Sequence, residues 1–194
     1  MPLRTTSRMT LLTLALWAGS ACAAIKVAGV PFPDTEEVAH QHLQLNGAGV
    51  RVKMVFDVYA ASLYLPQKAT DAQGALSAPG AKSVQAVLLR NLTAEEFVDA
   101  LLKGYQANNS EADQERFKPQ LQTLEGLMLG MKSAPKGSHV KIDLIPGQGT
   151  RISLNGKKLG PHIPGDEFYL SLLKIWLGNK PVDSDLKSAL LGKP

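Results

Sequence analysis

Cysteine is nearly absent from this 194-residue chain, and aromatic residues make up only 6% of it. The single cysteine, Cys22, lies near the N-terminus, so no intramolecular disulfide and no cysteine-based metal cluster can form. Stability has to come from packing. Charge of one sign is not in large excess either. The formal net charge is +4, and both Arg4 and Arg8 lie ahead of residue 24, so the remainder carries +2. A near-neutral domain of this kind offers no electrostatic case for a nucleic-acid partner. Long apolar runs are missing as well. The most hydrophobic stretch, Thr10 to Ala18, is roughly half the length needed to cross a bilayer.

That short stretch has a specific setting. Arg4 and Arg8 precede it, and Ala21-Cys22-Ala23 supplies small residues after it. Positive end, apolar core and small-residue cleavage site are the parts of a secretory signal peptide. Residues 1–23 are therefore expected to be a leader, and residues 24–194 one domain that is periplasmic or secreted and has no transmembrane segment. A domain of that length supports one hydrophobic core.

Periodicity divides the domain. Ile25 to Val30 reads as a short strand ending at Pro31. His42 to Asn46 leads into Gly47-Ala48-Gly49, read as a turn. Val50 to Tyr59 alternates with period 2 and reads as one half-buried strand, with Arg51, Lys53, Asp57 and Tyr59 on the face opposite Val50, Val52, Met54, Phe56 and Val58. Ala60 to Leu65 and Ser83 to Arg90 are further strands, and Lys68 to Lys82 reads as a surface linker. Thr93 with Glu96 forms a capping box that starts a helix whose stripe is Phe97, Ala100, Leu101, Gly104 and Tyr105. A second helix is expected over Asp113 to Lys132, with Pro119 as its start or a kink. Strands at Ser138 to Ile145 and Thr150 to Leu154 follow, the latter entering an Asn155-Gly156 hairpin. Helices over Gly165 to Leu177 and Ser184 to Leu191 close the chain. Grouped strands and grouped helices argue for an α+β fold with a largely antiparallel sheet and a cleft between sheet and helices.

Chemistry-bearing motifs are few. His40-Gln41-His42 places two imidazoles close together, but a metal site needs further ligands, and a solvated strand edge explains the pair. No nucleophile–base arrangement and no phosphate loop stands out. Nothing calls for a cofactor or metal, and nothing assigns an oligomeric state. Arg51 is different. If its face lines the cleft it is a buried cation that requires an anionic partner; the other reading is a solvated face shared with Lys53 and Asp57.

The segment Leu45-Asn46-Gly47-Ala48-Gly49-Val50-Arg51, followed by Phe56 to Leu65, resembles the opening of the chalcone isomerase family, and most closely its exported bacterial chalcone isomerase-like members. Val27 to Pro33 and the tail Ile163 to Tyr169 with Ile175-Trp176-Leu177-Gly178 extend the resemblance over nearly all of residues 25–192. It implies an open-faced β-sandwich, a large antiparallel sheet covered by a helical layer. It also implies an arginine in the cleft, at Arg51, that holds the anionic end of a ligand. Plant members cyclise chalcones; others bind fatty acids. The enzyme's strand threonine falls at Tyr59, its tyrosine and asparagine at Phe97 and Gly104, and its late Ser/Thr at Ile175, with Tyr105 one residue from the asparagine position. The resemblance therefore implies a binding protein for a fatty acid or similar apolar carboxylate. Arg51, Tyr59 and Tyr105 are expected at the head group, and Phe97, Leu101, Leu127 and Ile175 along the tail. The alternatives are an isomerase or intramolecular lyase acting on another substrate, and a structural or partner-binding envelope protein without a ligand site.

Overall fold

The computed structural model describes residues 24–193, so the expected leader lies outside the described residues. Seven strands form one antiparallel sheet: β3 (Thr35–Val38), β4 (Gln41–Lys53), β5 (Phe56–Leu65), β6 (Lys82–Leu88), β9 (His139–Ile145), β10 (Gly149–Leu154) and β11 (Lys157–Lys158). Their spatial order is β11-β10-β9-β6-β5-β4-β3. A separate hairpin, β1 (Ala24–Val27) with β2 (Val30–Pro33), precedes the sheet, and the two-residue strands β7 (Leu92–Thr93) and β8 (Ser133–Ala134) pair with each other. The helices are α1 (Ala72–Ser77), α2 (Ala94–Asn108), α3 (Glu111–Arg116), α4 (Lys118–Leu129), α5 (Asp166–Leu177) and α6 (Ser184–Leu190).

Strand alternation produces the two layers. On one sheet face Tyr59, Ala61, Leu63 and Leu65 of β5 join Val84, Ala86 and Leu88 of β6 and Val140, Ile142 and Leu144 of β9. These pack under Phe97 and Leu101 of α2 and Phe168, Leu172, Ile175 and Trp176 of α5. The other face carries a smaller core, in which Ala60 and Tyr64 meet Phe32, Val38 and Leu43. The expected helix-covered antiparallel sheet is what forms.

Several local expectations are corrected. Ile25 to Val30 is not one strand, because Ala28 and Gly29 take φ of 48° and 81° and turn the chain between β1 and β2. Val50 to Tyr59 is likewise a hairpin: Lys53 pairs with Phe56 across a two-residue turn at Met54-Val55. The alternation there continued through the turn because its exposed residues are also apolar. The expected helix over Asp113 to Lys132 is two helices, broken at Phe117, with Pro119 in the first turn of α4 where its missing N–H costs nothing. Lys68 to Lys82 contains α1, capped by Asp71, whose carboxylate accepts from Gly74 N at 2.8 Å. The capping box at Thr93 and Glu96 forms as expected.

The most informative correction concerns Gly47-Ala48-Gly49. These residues lie within β4 rather than in a turn. Asn46 is a bulge residue, extra on β4 between the Leu45–Tyr64 and Gly47–Leu63 pairs. Its amide nitrogen donates to Leu190 O at 2.7 Å and Ala69 O at 3.0 Å, and its oxygen accepts from Ala69 N at 2.7 Å. Gly47 and Gly49 then face α6. A Cβ on Gly47 would sit 2.0 Å from Ala189 O, and one on Gly49 would sit 2.6 Å from the Ala189 side chain. The glycines serve close approach, so that the last helix lies directly on the strand backbone.

Gly47→Ala is expected to force α6 off β4, at a cost of about 3 kcal/mol. In a domain of this size that lowers Tm by roughly 6–12 °C. Thermal unfolding followed by circular dichroism checks it; an unchanged Tm would mean that α6 is not seated on the strand.

Candidate functional site

The same register carries Arg51 to the cavity. Gly47, Gly49 and Arg51 pair with Leu63, Ala61 and Tyr59, so all three share the helix-covered face. The two glycines seat α6, and Arg51 lies one step further, past the start of that helix. Asp183 closes the helix end. One carboxylate oxygen accepts from Asp185 N and Leu186 N at 2.9 Å each, and the other accepts from Val52 N at 2.9 Å.

Beside Arg51 lies a cavity of about 480 Å³, bounded by the β4–β5 hairpin, α2, the C-terminal half of α5 and the loop after it. Its apolar wall includes Val58, Phe97, Leu101, Ile175, Trp176 and Val182. Lys53, Arg90, Lys103 and Lys180 stand with Glu96 and Asp99 around it. With Arg51 the lining holds five cations against two carboxylates, which favours an anion.

Arg51 is only partly exposed, and its Nε is buried without a hydrogen-bond partner. Among the described residues its guanidinium makes no ion pair; its Cζ lies 5.5 Å from the centre of the Tyr59 ring. The Tyr59 hydroxyl accepts from Trp176 Nε1 at 2.9 Å, which leaves its own proton available for donation. Burial pushes the Tyr59 phenol up from its ordinary value, outweighing the lowering effects of the Arg51 charge and the Trp176 hydrogen bond. Tyr59 is therefore a neutral donor beside a cation. Together they present a bidentate cation and a phenol hydroxyl, a set suited to carboxylate oxygens.

Five of the seven expected site residues, Arg51, Tyr59, Phe97, Leu101 and Ile175, line this cavity. Tyr105 does not. Gly104 occupies the helix position facing α5 and the cavity, where a Cβ would lie 2.9 Å from both Ile175 and Val182. One residue further is about 100° around the helix, so Tyr105 is fully buried away from Arg51, with its phenol beside Ser171 and raised by burial. Leu127 is also displaced from the site; it packs against Gly160, where it would meet an added Cβ at 2.4 Å. The expectation missed Trp176, Lys53, Arg90, Lys103 and Lys180. Trp176 was legible as a residue of the α5 stripe and of the tail that carries the resemblance, without a role in the site. The histidine pair is divided: His40 sits in the β3–β4 turn with φ of 60°, and His42 lies in β4.

Comparison with known proteins adds the following. The profile of the chalcone isomerase-like family matches residues 24–192. A crystal structure of a fatty-acid binding protein from Arabidopsis thaliana superposes with a TM-score of 0.68 at 16% identity, covering 87% of this chain and 96% of that one. No curated protein matches by sequence.

The burial of Tyr59 has a measurable consequence. A phenol whose native pKa exceeds its unfolded value of 10.0 contributes stability in full below that pH and loses it as pH rises above it. Burial raises Tyr105 and Tyr169 as well, so spectrophotometric titration is expected to show several late-ionising tyrosines and to lose one of them in Tyr59→Phe. Normal ionisation of Tyr59 near pH 10 would contradict its placement against Trp176 and Arg51.

Proposed function

The chain belongs to the chalcone isomerase-like family, and from that premise we propose that it is an exported, non-catalytic binding protein for a fatty acid or similar apolar carboxylate, with Arg51 at the head group. The observation that carries this reading is the Arg51 guanidinium, whose Nε has no hydrogen-bond partner and which makes no ion pair among the described residues, beside an apolar-walled cavity of about 480 Å³. A partly buried cation without an ion-pair partner favours an anion from outside. The apolar wall selects an anion with a hydrocarbon body. The fatty-acid binding function of the Arabidopsis neighbour supports the same reading.

The cavity chemistry favours holding over turnover. Ring closure of the chalcone type needs donors for a developing enolate, each typically worth a factor of about a hundred or more. Phe97, Gly104 and Ile175 line the wall at the positions where the family resemblance places the enzyme's polar groups. Tyr105, the one hydroxyl that a shifted alignment would restore, is turned toward Ser171. Export rests on the leader pattern of residues 1–23; among the described residues no helix is long and apolar enough to cross a membrane. N-terminal sequencing of the protein recovered from its host is expected to begin at Ala24, and an intact Met1 start would count against export.

Tail burial supplies most of the affinity in this account, at about 0.8 kcal/mol per methylene. The charge-assisted bond from Arg51 adds about 1.5–3 kcal/mol. Arg51→Ala is therefore expected to weaken palmitate binding by roughly 10- to 100-fold while leaving hexadecanol binding almost unchanged, as read by calorimetry. Equal palmitate affinity in both proteins would remove Arg51 from the site. Ala100→Phe, at a half-buried position on the α2 wall, is expected to obstruct both ligands.

A further inference from the structure

Six large apolar residues stand exposed among the described residues, and four of them, Val52, Met54, Val55 and Phe56, crowd into one hairpin tip. Met54 is 87% exposed, Val55 83%, Phe56 59% and Val52 43%. The turn chemistry works against this choice. Two-residue hairpin turns favour Asn-Gly because their central residues take positive φ, and the β10–β11 turn follows that rule, with Asn155 and Gly156 at 50° and 80°. The β4–β5 turn instead places Met54 at φ of 59° and follows it with β-branched Val55. Residues chosen for backbone geometry would be polar and small; these are neither. A local rule broken without a structural gain points to a demand on the side chains themselves.

The tip is continuous with the cavity. Arg51 and Lys53, on the strand that enters the turn, both line it, and Arg90, Lys103 and Lys180 stand around the same opening. The nearby acids are Asp57 on the hairpin, Asp183 beside Val52, and Glu96 and Asp99 on α2. Five cations line the opening against two carboxylates, and with Asp57 and Asp183 counted the balance is still positive by one. We infer that the β4–β5 tip inserts into an anionic phospholipid surface, with Met54, Val55 and Phe56 entering the acyl boundary and the basic residues of the opening facing the headgroups. An apolar wedge set in basic surroundings is the combination that binds interfaces. A protein partner would have to match the same acidic charge with an apolar recess, for which the structure offers no further sign; a lipid surface supplies both. In this pose the cavity opening faces the membrane.

The docking stands on the hairpin and its charges, independent of what the cavity holds, and its test reads vesicle association rather than ligand uptake. The full chain and the chain from residue 24, which carries every element described above, are sedimented with vesicles of phosphatidylglycerol and phosphatidylethanolamine, and with vesicles of phosphatidylcholine alone. Both chains are expected to associate with the anionic vesicles and less with the zwitterionic ones. The double variant Val55→Asp/Phe56→Asp is expected to bind the anionic vesicles roughly ten-fold more weakly or worse, and Lys53→Ala about five-fold more weakly. These positions are exposed, so the Tm of each variant is expected to match that of the parent. No association of the chain from residue 24, or undiminished association of the double variant, would overturn the inference. So would a dimer in light scattering that the double variant dissolves, because the tip would then belong to a second copy.

Discussion

A positive charge with no ion-pair partner among the described residues organises this structure. Arg51 is held on the helix-covered face of the sheet, with its Nε buried, the Tyr59 ring beside it and an apolar cavity in front of it. Leaving such a group unmatched costs free energy, and the surrounding elements maintain the arrangement. The bulge at Asn46 sets the register of β4. Gly47 and Gly49 admit α6, and Asp183 caps that helix while tying it back to Val52. The Asp183 carboxylate is thereby engaged with backbone N–H groups, and Arg51 makes no ion pair among the described residues.

The polar pair at the cavity base follows from the same construction. Arg51 and Tyr59 meet because they are register partners across two strands, and Tyr59 is fixed from above by the indole of Trp176 on α5. Sheet and helical layer each contribute one side of the site, so its geometry depends on their packing. Gly104 adds to this, since any side chain there would push α2 from Ile175 and Val182 and widen the gap. The cavity is what remains where two helices and a hairpin fail to close over the sheet.

Much of this was legible in the sequence where period and chemistry agreed. The capping box at Thr93, the Asn155-Gly156 hairpin and the stripe of α5 all formed as their residues specify. The failures share a cause: local rules cannot see a tertiary neighbour. Gly47 and Gly49 read as a turn because glycine usually marks one, whereas here the backbone of a helix more than 140 residues away, reached also by Asn46, requires the space. Val52 to Phe56 read as part of a half-buried strand because exposed apolar residues imitate a core face. Tyr105 was placed in the site by adjacency to Gly104, and one residue of helical rotation removed it. The cationic surround, drawn from β4, α2 and two loops, has no signature in any single window of the chain.

The central claim is that a ligand carboxylate lies against the Arg51 guanidinium. Carbon-13 NMR of palmitate labelled at its carboxyl carbon tests this most directly. An adjacent cation lowers a carboxyl pKa, so the bound resonance should titrate well below free fatty acid and lose that depression in Arg51→Gln. A bound carboxyl that titrates as it does in bulk water, or the absence of any bound resonance, would contradict the account.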